Sequence, residues 1–203
     1  MTVSAGFWDR VAERYAARPI RDVAAYEEML ADVASRLAAT DRVLELGCGT
    51  GGAAVRLGGG VALWRATDFS AEMLRIARGR QAPPTVEFRL AEADSAFDGG
   101  PWDAVCAFHV LHLVEDTEAT LRRIHAHLKP GGLLISKTYC FGDMGLGLRL
   151  MFPLLRSFGM FPPAASLTLE RLRRAILDAG FGIEHQRSFG RNLHSRYIVA
   201  RRL

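Results

Sequence analysis

The most constraining feature of the sequence is a short apolar run that ends in a cluster of glycines. Residues 43–46 are apolar except for Glu45, which is typical of a strand buried on both faces of a parallel sheet. Glycines follow at positions 47, 49, 51 and 52. Because glycine lacks a Cβ atom, it accepts positive φ angles and lets the backbone approach a ligand closely. The next helix directs its free N–H groups to the same place, so the pattern predicts the floor of a cofactor site.

The spacing of these glycines leaves two classes of cofactor open. Gly47, Gly49 and Gly52 fit the G-x-G-x-x-G pattern of dinucleotide-binding proteins. Gly47, Gly49 and Gly51 fit a G-x-G-x-G pattern equally well. Glu45 favours the second class, since a carboxylate two residues before the first glycine would lie beneath a bound amino group. S-adenosylmethionine (SAM) has such an amino group and NAD lacks it.

The glycine segment also carries a family resemblance. Residues 45–51, with the sequence E-L-G-C-G-T-G, resemble motif I of the class I SAM-dependent methyltransferases. The likeness is greatest to the small-molecule branch that includes the ubiquinone and menaquinone biosynthesis enzymes. It implies an α/β, Rossmann-like fold: a seven-stranded, mostly parallel sheet with an antiparallel last strand and helices on both faces. It also implies SAM as the cofactor, bound by Glu45, Gly47, Cys48, Gly49 and Gly51.

A carboxylate follows the second predicted strand, residues 61–67. Asp68 lies 21 residues beyond Gly47, where a doubly wound sheet places the acid that binds a ribose hydroxyl pair. Its two oxygens can accept both hydroxyl hydrogens. The surrounding segment resembles motif II of the same family, which makes Phe69 and Met73 candidates to flank the adenine ring. The alternative is that both are core residues.

The third strand is expected over residues 85–90, and the segment after it is predicted to contact the adenine. Alignment with the family pattern puts Glu92, followed by Ala93, where the acceptor for the adenine amino group normally lies. Aspartate is more usual at that position, so Asp94 is the alternative.

The fourth strand, residues 102–108, has the W-D-x-V form of the family and leads to two histidines. His109 is expected at the carboxyl edge of the sheet, where open α/β sheets bind their ligands. We predict that it contacts the cofactor and is the first choice for a general base, because the ordinary imidazole pKa is about 6.5. His112 is the second choice and a candidate substrate contact. The alternative is that both histidines only support the loop, since a sulfonium donor is already activated and no base is required.

Two segments outside the motifs are expected to cover the site. Residues 1–40 are predicted to form an N-terminal helical cap, with Tyr15 as a substrate contact; the alternative is that Tyr15 only packs this helix. Residues 140–166 are a Met-, Leu- and Phe-rich insertion, which we predict lies over the acceptor pocket and contributes Met144. A weak membrane-surface contact, a homodimer contact and plain core are the alternatives for this insertion.

The composition fits one methyltransferase domain over residues 1–203. Three cysteines without a C-x-x-C pair are read as reduced thiols of a cytoplasmic protein. No apolar run is long enough for a membrane span, and no His or Cys spacing indicates a metal site. The net charge of +4 is carried almost entirely by arginine and receives little weight.

The predicted function is transfer of a methyl group from SAM to a small, apolar or aromatic acceptor, with O-, N- and C-methylation left open. The alternative is an RNA or protein methyltransferase that uses an arginine-rich C-terminal region. Its arginines are Arg171, Arg173, Arg174, Arg187, Arg191, Arg196, Arg201 and Arg202. Against it, the fourth strand lacks the Asn/Asp-Pro-Pro-aromatic sequence of amino-group nucleic-acid methylases, so nucleic acid is not the expected partner. A nicotinamide oxidoreductase is a third hypothesis, which the absence of a Tyr-x-x-x-Lys pair disfavours.

Overall fold

The computed structural model describes residues 5–145 and 166–203. The helices of this part of the chain are α1 (Ala5–Ala16), α2 (Val23–Ser35), α3 (Gly52–Leu57), α4 (Ala71–Arg78), α5 (Thr117–His127) and α6 (Leu169–Asp178). The strands are β1 (Arg42–Leu46), β2 (Leu63–Asp68), β3 (Val86–Leu90), β4 (Trp102–Phe108), β5 (Leu128–Tyr139), β6 (Phe181–Arg187) and β7 (Ser195–Arg202). Short 3-10 turns cover Gly58–Gly60 and Phe141–Asp143.

The seven strands form one sheet in the order β3-β2-β1-β4-β5-β7-β6. The first five pair in parallel, and β7 is antiparallel to both β5 and β6. This confirms the predicted fold class, a mostly parallel sheet with an antiparallel last strand. The chain order reverses between β1 and β4, so a crevice opens at the carboxyl ends of these central strands.

The core lies on both faces of the central strands, because side chains of successive residues point to opposite sides. Val43 belongs to a cluster with α2 and α3, whereas Leu44 and Leu46 belong to a cluster with α5 and α6. Each face of β1 is therefore covered by helices, as its apolar sequence predicted. The two layers hold the carboxyl ends of β1, β2, β4 and β5 in fixed positions.

Local side-chain caps determine where several helices begin. Ser70 accepts a hydrogen bond from the N–H of Met73 at 3.2 Å and starts α4. Asp116 accepts one from the N–H of Ala119 at 2.9 Å, which places the start of α5 at Thr117 rather than at the predicted residue 114.

The start of β5 also differs from the expectation. The K-P-G-G sequence of residues 129–132 resembles the family's stop before a fifth strand, which we predicted over residues 132–139, but β5 begins at Leu128. Pairing with β4 jumps from Trp102 opposite Leu128 to Ala104 opposite Leu133. The K-P-G-G segment is therefore an irregularity inside the strand, and the preceding helix ends before it at His127.

The N-terminal helix α1 docks on α4. Asp9 Oδ1 accepts hydrogen bonds from the Ser70 hydroxyl at 2.6 Å and from the Glu72 N–H at 3.3 Å. Glu13 and Arg75 form a second, exposed ion pair between the two helices. Since Ser70 follows the carboxyl end of β2, these contacts hold α1 beside the crevice.

Most of the predicted insertion, residues 146–165, lies outside the described residues. Only residues 140–145 and 166 of that prediction can be placed. Among residues 5–145 and 166–203, no helix combines the length and the apolar character that a membrane span requires.

Candidate functional site

The glycine loop after β1 has three residues with positive φ, and they differ in what surrounds them. A Cβ atom at Gly47 (φ 64°) would lie 2.8 Å from the side chain of Val110, and one at Gly51 (φ 75°) would lie 2.9 Å from Phe88. At Gly49 (φ 53°) the nearest atom is 3.9 Å away, on the ring of Tyr15. The outer glycines thus serve internal packing, whereas a Cβ atom on the middle glycine would make only an ordinary contact with Tyr15.

Asp68 ties this loop to the end of β2. Its Oδ2 accepts a hydrogen bond from the Gly49 N–H at 2.8 Å, and its Oδ1 accepts one from the Ser70 N–H at 2.9 Å. Burial raises the pKa of Asp68, and these backbone donors oppose the shift. The N–H of Phe69 is a third backbone donor. Since a carboxylate has about four lone-pair positions, Asp68 lies beside Gly49 with capacity for a further hydrogen bond.

Glu45 lies deeper in the molecule than a ligand-binding carboxylate usually does. It is 2% exposed, and its Oε2 accepts a hydrogen bond from the indole N–H of Trp64 at 2.8 Å. Burial raises its pKa to about 7. The neighbouring Cys48 thiol is also buried, which raises its pKa well above the usual value. For both residues the predicted cofactor contact stays a prediction.

The residues predicted to contact the adenine differ in solvent exposure, from buried to exposed. Met73 is 1% exposed and Phe69 is partly buried. Glu92 is exposed and Ala93 is partly buried in the turn after β3. Asp94, the alternative to Glu92, forms an ion pair with Arg123 of α5. Its engagement there favours Glu92 as the residue with a free carboxylate.

Four rings from β4, β5 and the loops after them meet at the carboxyl edge of the sheet. We call His109, His112, Tyr139 and Phe141 the aromatic cluster. His109 stacks on Tyr139 with centroids 4.6 Å apart, and Tyr139 stacks on Phe141 at 5.5 Å. His112 meets Tyr139 and Phe141 edge-on at 5.5 and 5.3 Å. Phe141 belongs to the insertion that we predicted over the acceptor pocket, whereas we predicted no role for Tyr139, although its position at the end of a central parallel strand was a signal for one.

The two histidines of the cluster are neutral at physiological pH. Burial lowers the pKa of His109 to about 3 and that of His112 to about 4. Among the described residues, neither Nδ1 atom has a hydrogen-bond partner. His109 also has a positive φ of 60°, with its N–H bonded to the Lys137 carbonyl at 2.6 Å. A non-glycine residue in this conformation costs free energy, and such strain is concentrated at functional sites.

Tyr15 and Met144 approach the site from the two covering segments. Tyr15 lies across Gly49 and packs edge-on against Trp8 at 6.1 Å. Partial burial raises the pKa of Tyr15, with further contributions from Tyr139 and Asp68, so its hydroxyl lies in the field of both groups. Met144 is partly buried directly after the turn that contains Phe141, and its N–H donates to the Phe141 carbonyl at 3.2 Å. Their predicted substrate contacts stay predictions.

The sheet order, the glycine loop and the acid after β2 together define the class I methyltransferase fold. The family model described as a methyltransferase domain matches residues 12–186. The chain therefore belongs to the methyltransferase domain family.

Curated relatives match only part of the chain. An uncharacterized methyltransferase of Mycobacterium bovis is 34% identical over 110 residues, which cover 54% of this chain and 56% of the relative. The biotin biosynthesis bifunctional protein BioCD of Bordetella avium is 33% identical over 136 residues, which cover 64% of this chain and 29% of that protein. The chain thus spans about half the length of the first relative and less than a third of the second.

Solved structures match nearly the whole chain. A methyltransferase of Haloferax volcanii, solved in complex with the Trm112 methyltransferase activator, gives a TM-score of 0.78 at 20% identity and covers 98% of this chain and 96% of that one. The magnesium protoporphyrin IX methyltransferase of Synechocystis, solved with bound SAH, gives 0.71 at 22% identity and covers 99% and 96%. At these identities the likeness shows the fold.

These findings confirm the predicted class, a class I SAM-dependent methyltransferase, with SAM as the cofactor of the class. They do not single out the ubiquinone and menaquinone branch. The residues present fit the cofactor, since a Cβ atom at Gly49 would meet nothing closer than the Tyr15 ring at 3.9 Å. The Asp68 carboxylate beside it accepts backbone hydrogen bonds and keeps capacity for a further donor.

The arginine-rich C-terminal region is largely engaged within the domain. Of the eight arginines named above, four form ion pairs with glutamates. Arg173, Arg196 and Arg202 donate hydrogen bonds to other groups of the chain. A surface that binds phosphates needs basic side chains that are free to leave their neighbours. The RNA or protein alternative is therefore not favoured.

Proposed function

We propose that this chain transfers the methyl group of SAM to a small acceptor with an aromatic or apolar surface. The observation that carries the proposal is the aromatic cluster, which lies at the same sheet edge as Gly49 and Asp68. Tyr15 connects the two regions. Its ring lies across Gly49, and both Asp68 and Tyr139 raise the pKa of its hydroxyl. A flat acceptor that packs on Tyr139 would thus lie next to a cofactor held at Gly49.

In this proposal the chain mainly binds and orients. SAM, when bound, supplies a methyl group that its sulfonium already activates. The glycine loop and Asp68 would hold the cofactor, and Glu92 would accept from its adenine amino group. Phe141, which Tyr139 supports from one side, would hold the acceptor through ring contacts, which are worth about 1 kcal/mol per ring pair. Exclusion of water and alignment of the acceptor atom then provide most of the rate enhancement.

We infer that His109 shapes the acceptor pocket and does not act as the general base. Its pKa of about 3 makes it a weak base at neutral pH, far from the matched value that proton transfer favours. The neutral ring keeps one nitrogen acceptor and one N–H donor, which can orient an acceptor group. A rate that stays constant between pH 6 and 8 would support this reading, whereas a rate that rises with an apparent pKa near 6.5 and loses that step in His109→Gln would contradict it.

Titration calorimetry with SAM and S-adenosylhomocysteine (SAH) tests the cofactor part of the proposal. We expect binding by the wild-type chain and a loss of about 100-fold in Asp68→Ala, because two hydrogen bonds to a charged group are removed. Asp178→Ala is the matched control, since Asp178 is exposed at the end of α6. Circular dichroism must show that each variant is folded, because Asp68→Ala also leaves the Gly49 and Ser70 N–H groups without their acceptor.

The acceptor part is tested by the rate of SAH formation with a panel of aromatic and aliphatic compounds. Turnover with flat aromatic members supports the proposal. A folded protein that binds neither SAM nor SAH would refute it, and turnover restricted to RNA or protein substrates would replace the acceptor class.

A further inference from the structure

One basic residue of the candidate site forms no ion pair with any residue that the structure describes. The chain contains 26 lysines and arginines, and only Lys129 and Lys137 are lysines. Lys129 pairs with Asp103 at 2.6 Å near the start of β5. Lys137 lies near the other end of the same strand and forms neither an ion pair nor a hydrogen bond through its Nζ atom with any residue that the structure describes.

The surroundings of Lys137 are aromatic and partly buried. Its Nζ atom lies 5.9 Å from the centroid of the buried Phe189 ring. Its carbonyl accepts the N–H of His109, and its charge helps to lower the pKa of that histidine after burial. Tyr139 follows two residues later on the same face of β5. The ammonium is therefore adjacent to the aromatic cluster.

The acidic group whose charge reaches Lys137 is Asp22, which also caps a helix through one of its oxygens. Asp22 Oδ1 accepts the N–H of Ala25 at 3.1 Å and caps α2. Burial lowers the pKa of Lys137, and Asp22 offsets this shift only in part. A partly buried ammonium without a close partner is unfavourable, so an anion that binds here would gain a strong hydrogen bond at little cost.

The charges around the crevice have opposite signs at its two ends. Asp68 and Asp9 lie at the end that faces the glycine loop, and the charge of Asp9 raises the pKa of Asp68. Lys137 and Arg21 lie at the end that faces Tyr139, together with the single carboxylate of Asp22, and the charge of Arg21 lowers the pKa of the Tyr139 phenol. A ligand pair with a cationic sulfonium and an anionic acceptor matches this polarity.

We propose that Lys137 binds the anionic oxygen, carboxylate or phenolate, of an aromatic acceptor that packs against Tyr139. The inference rests on the proposed function and narrows its substrate class. The same ammonium could instead bind the carboxylate of the cofactor, so the experiment must separate these two sources of the anion.

The two-lysine composition permits a direct test by NMR. Protein labelled with ¹³C at lysine Cε has two lysine signals, which Lys129→Met and Lys137→Met assign. Calorimetry on the same sample first establishes SAH binding; its absence would reject the proposed function itself. The SAH-saturated protein is then titrated with 2-naphthoate and with its neutral match 2-naphthamide, and likewise with 4-nitrophenolate and 4-nitroanisole.

We expect at least one anion to shift the Lys137 signal and to bind about tenfold more tightly than its neutral match. The Lys129 signal should stay in place, and Lys137→Met should bind anion and neutral match equally. Retained preference in Lys137→Arg would show that a cation suffices. The proposal is overturned if none of the anions shifts the Lys137 signal, if Lys137→Met keeps the preference, or if Lys137→Met weakens SAH binding by a similar factor.

Discussion

The two halves of the crevice are built in different ways. The half that we propose for the cofactor consists of the glycine loop and Asp68, where the contacts run through backbone N–H groups of consecutive or nearby residues. The half that we propose for the acceptor consists of the aromatic cluster and Lys137, where side chains from β5 and from the segments that follow β4 and β5 meet through their rings. Backbone geometry thus governs the first half, and side-chain identity governs the second.

This difference explains how one fold serves many acceptors. A cofactor site that depends on glycine φ angles and one carboxylate tolerates few changes, since a Cβ atom at Gly47 or Gly51 would collide with its neighbours. Rings on two strand ends can be exchanged without altering the sheet.

The largest expected effect concerns the buried carboxyl beneath the cofactor half. The Glu45 carboxyl ionises near pH 4.5 in the unfolded chain and near 7 in the folded protein, because burial disfavours its charge. Between these values the folded state holds a proton that the unfolded state has released. The free energy of unfolding therefore falls as the pH rises through this window, by about 3 kcal/mol in total.

Glu45→Gln removes this titration and keeps an oxygen for the Trp64 N–H. Urea denaturation at pH 5 and pH 8 measures the effect as the difference between variant and wild type. His109 and His112 titrate in both proteins and cancel in that difference. Equal pH dependence of the two proteins would show that Glu45 is not buried as a neutral acid.

The next effect separates the two roles of glycine within the cofactor half. Gly51→Ala should lower the free energy of unfolding by about 2 kcal/mol more than Gly49→Ala, because its Cβ meets Phe88 at 2.9 Å and Ala77 at 3.0 Å. Both variants pay a similar cost for positive φ. Gly49→Ala should instead weaken SAH binding by about tenfold, since its Cβ enters the space proposed for the cofactor. Thermal denaturation measures the stability of both variants, and calorimetry measures their affinity for SAH. A less stable Gly49→Ala, or weaker SAH binding by Gly51→Ala, would contradict the two roles.

A change in the acceptor half should leave cofactor binding intact. Tyr139→Leu removes the ring that stacks on both His109 and Phe141. We expect turnover of an aromatic acceptor to be about tenfold slower, while the affinity for SAH changes less than twofold. Tyr139→Phe is the control that keeps the stack. The two halves would not be independent if Tyr139→Leu weakened SAH binding as much as turnover.

The smallest effect concerns the attachment of the N-terminal helix. Asp9→Ala removes the acceptor of the Ser70 hydroxyl and of the Glu72 N–H, at a cost of about 1 kcal/mol. Glu13→Ala breaks only an exposed ion pair and should cost less. Hydrogen exchange of α1 in the two variants measures the difference, and faster exchange in Glu13→Ala than in Asp9→Ala would contradict it.

Much of the fold was predictable from the sequence because its signals are local. The bounds predicted for β1 and β4 agree with Arg42–Leu46 and Trp102–Phe108, since both are buried runs with clear ends. Prediction was less accurate where a turn or a cap decides the boundary, as at the start of β5. The positions of Asp68 and the glycines at the ends of β2 and β1 could be predicted for the same reason, because their spacing along the chain reflects a strand, a turn and a helix.

The sequence alone determined the position of the glycine loop, since hydrophobic period and glycine spacing act over a few residues, and its resemblance to motif I implied the fold class and the cofactor class. Only the tertiary structure brought Tyr139, Phe141 and Lys137 together with His109. The burial of the Glu45 side chain in the core likewise followed from the tertiary structure. Packing between β4, β5 and the segments around them decided these contacts. The physical reason is that burial and side-chain contact depend on what lies across the sheet, and residues about 30 positions apart in sequence carry no local signal of that proximity.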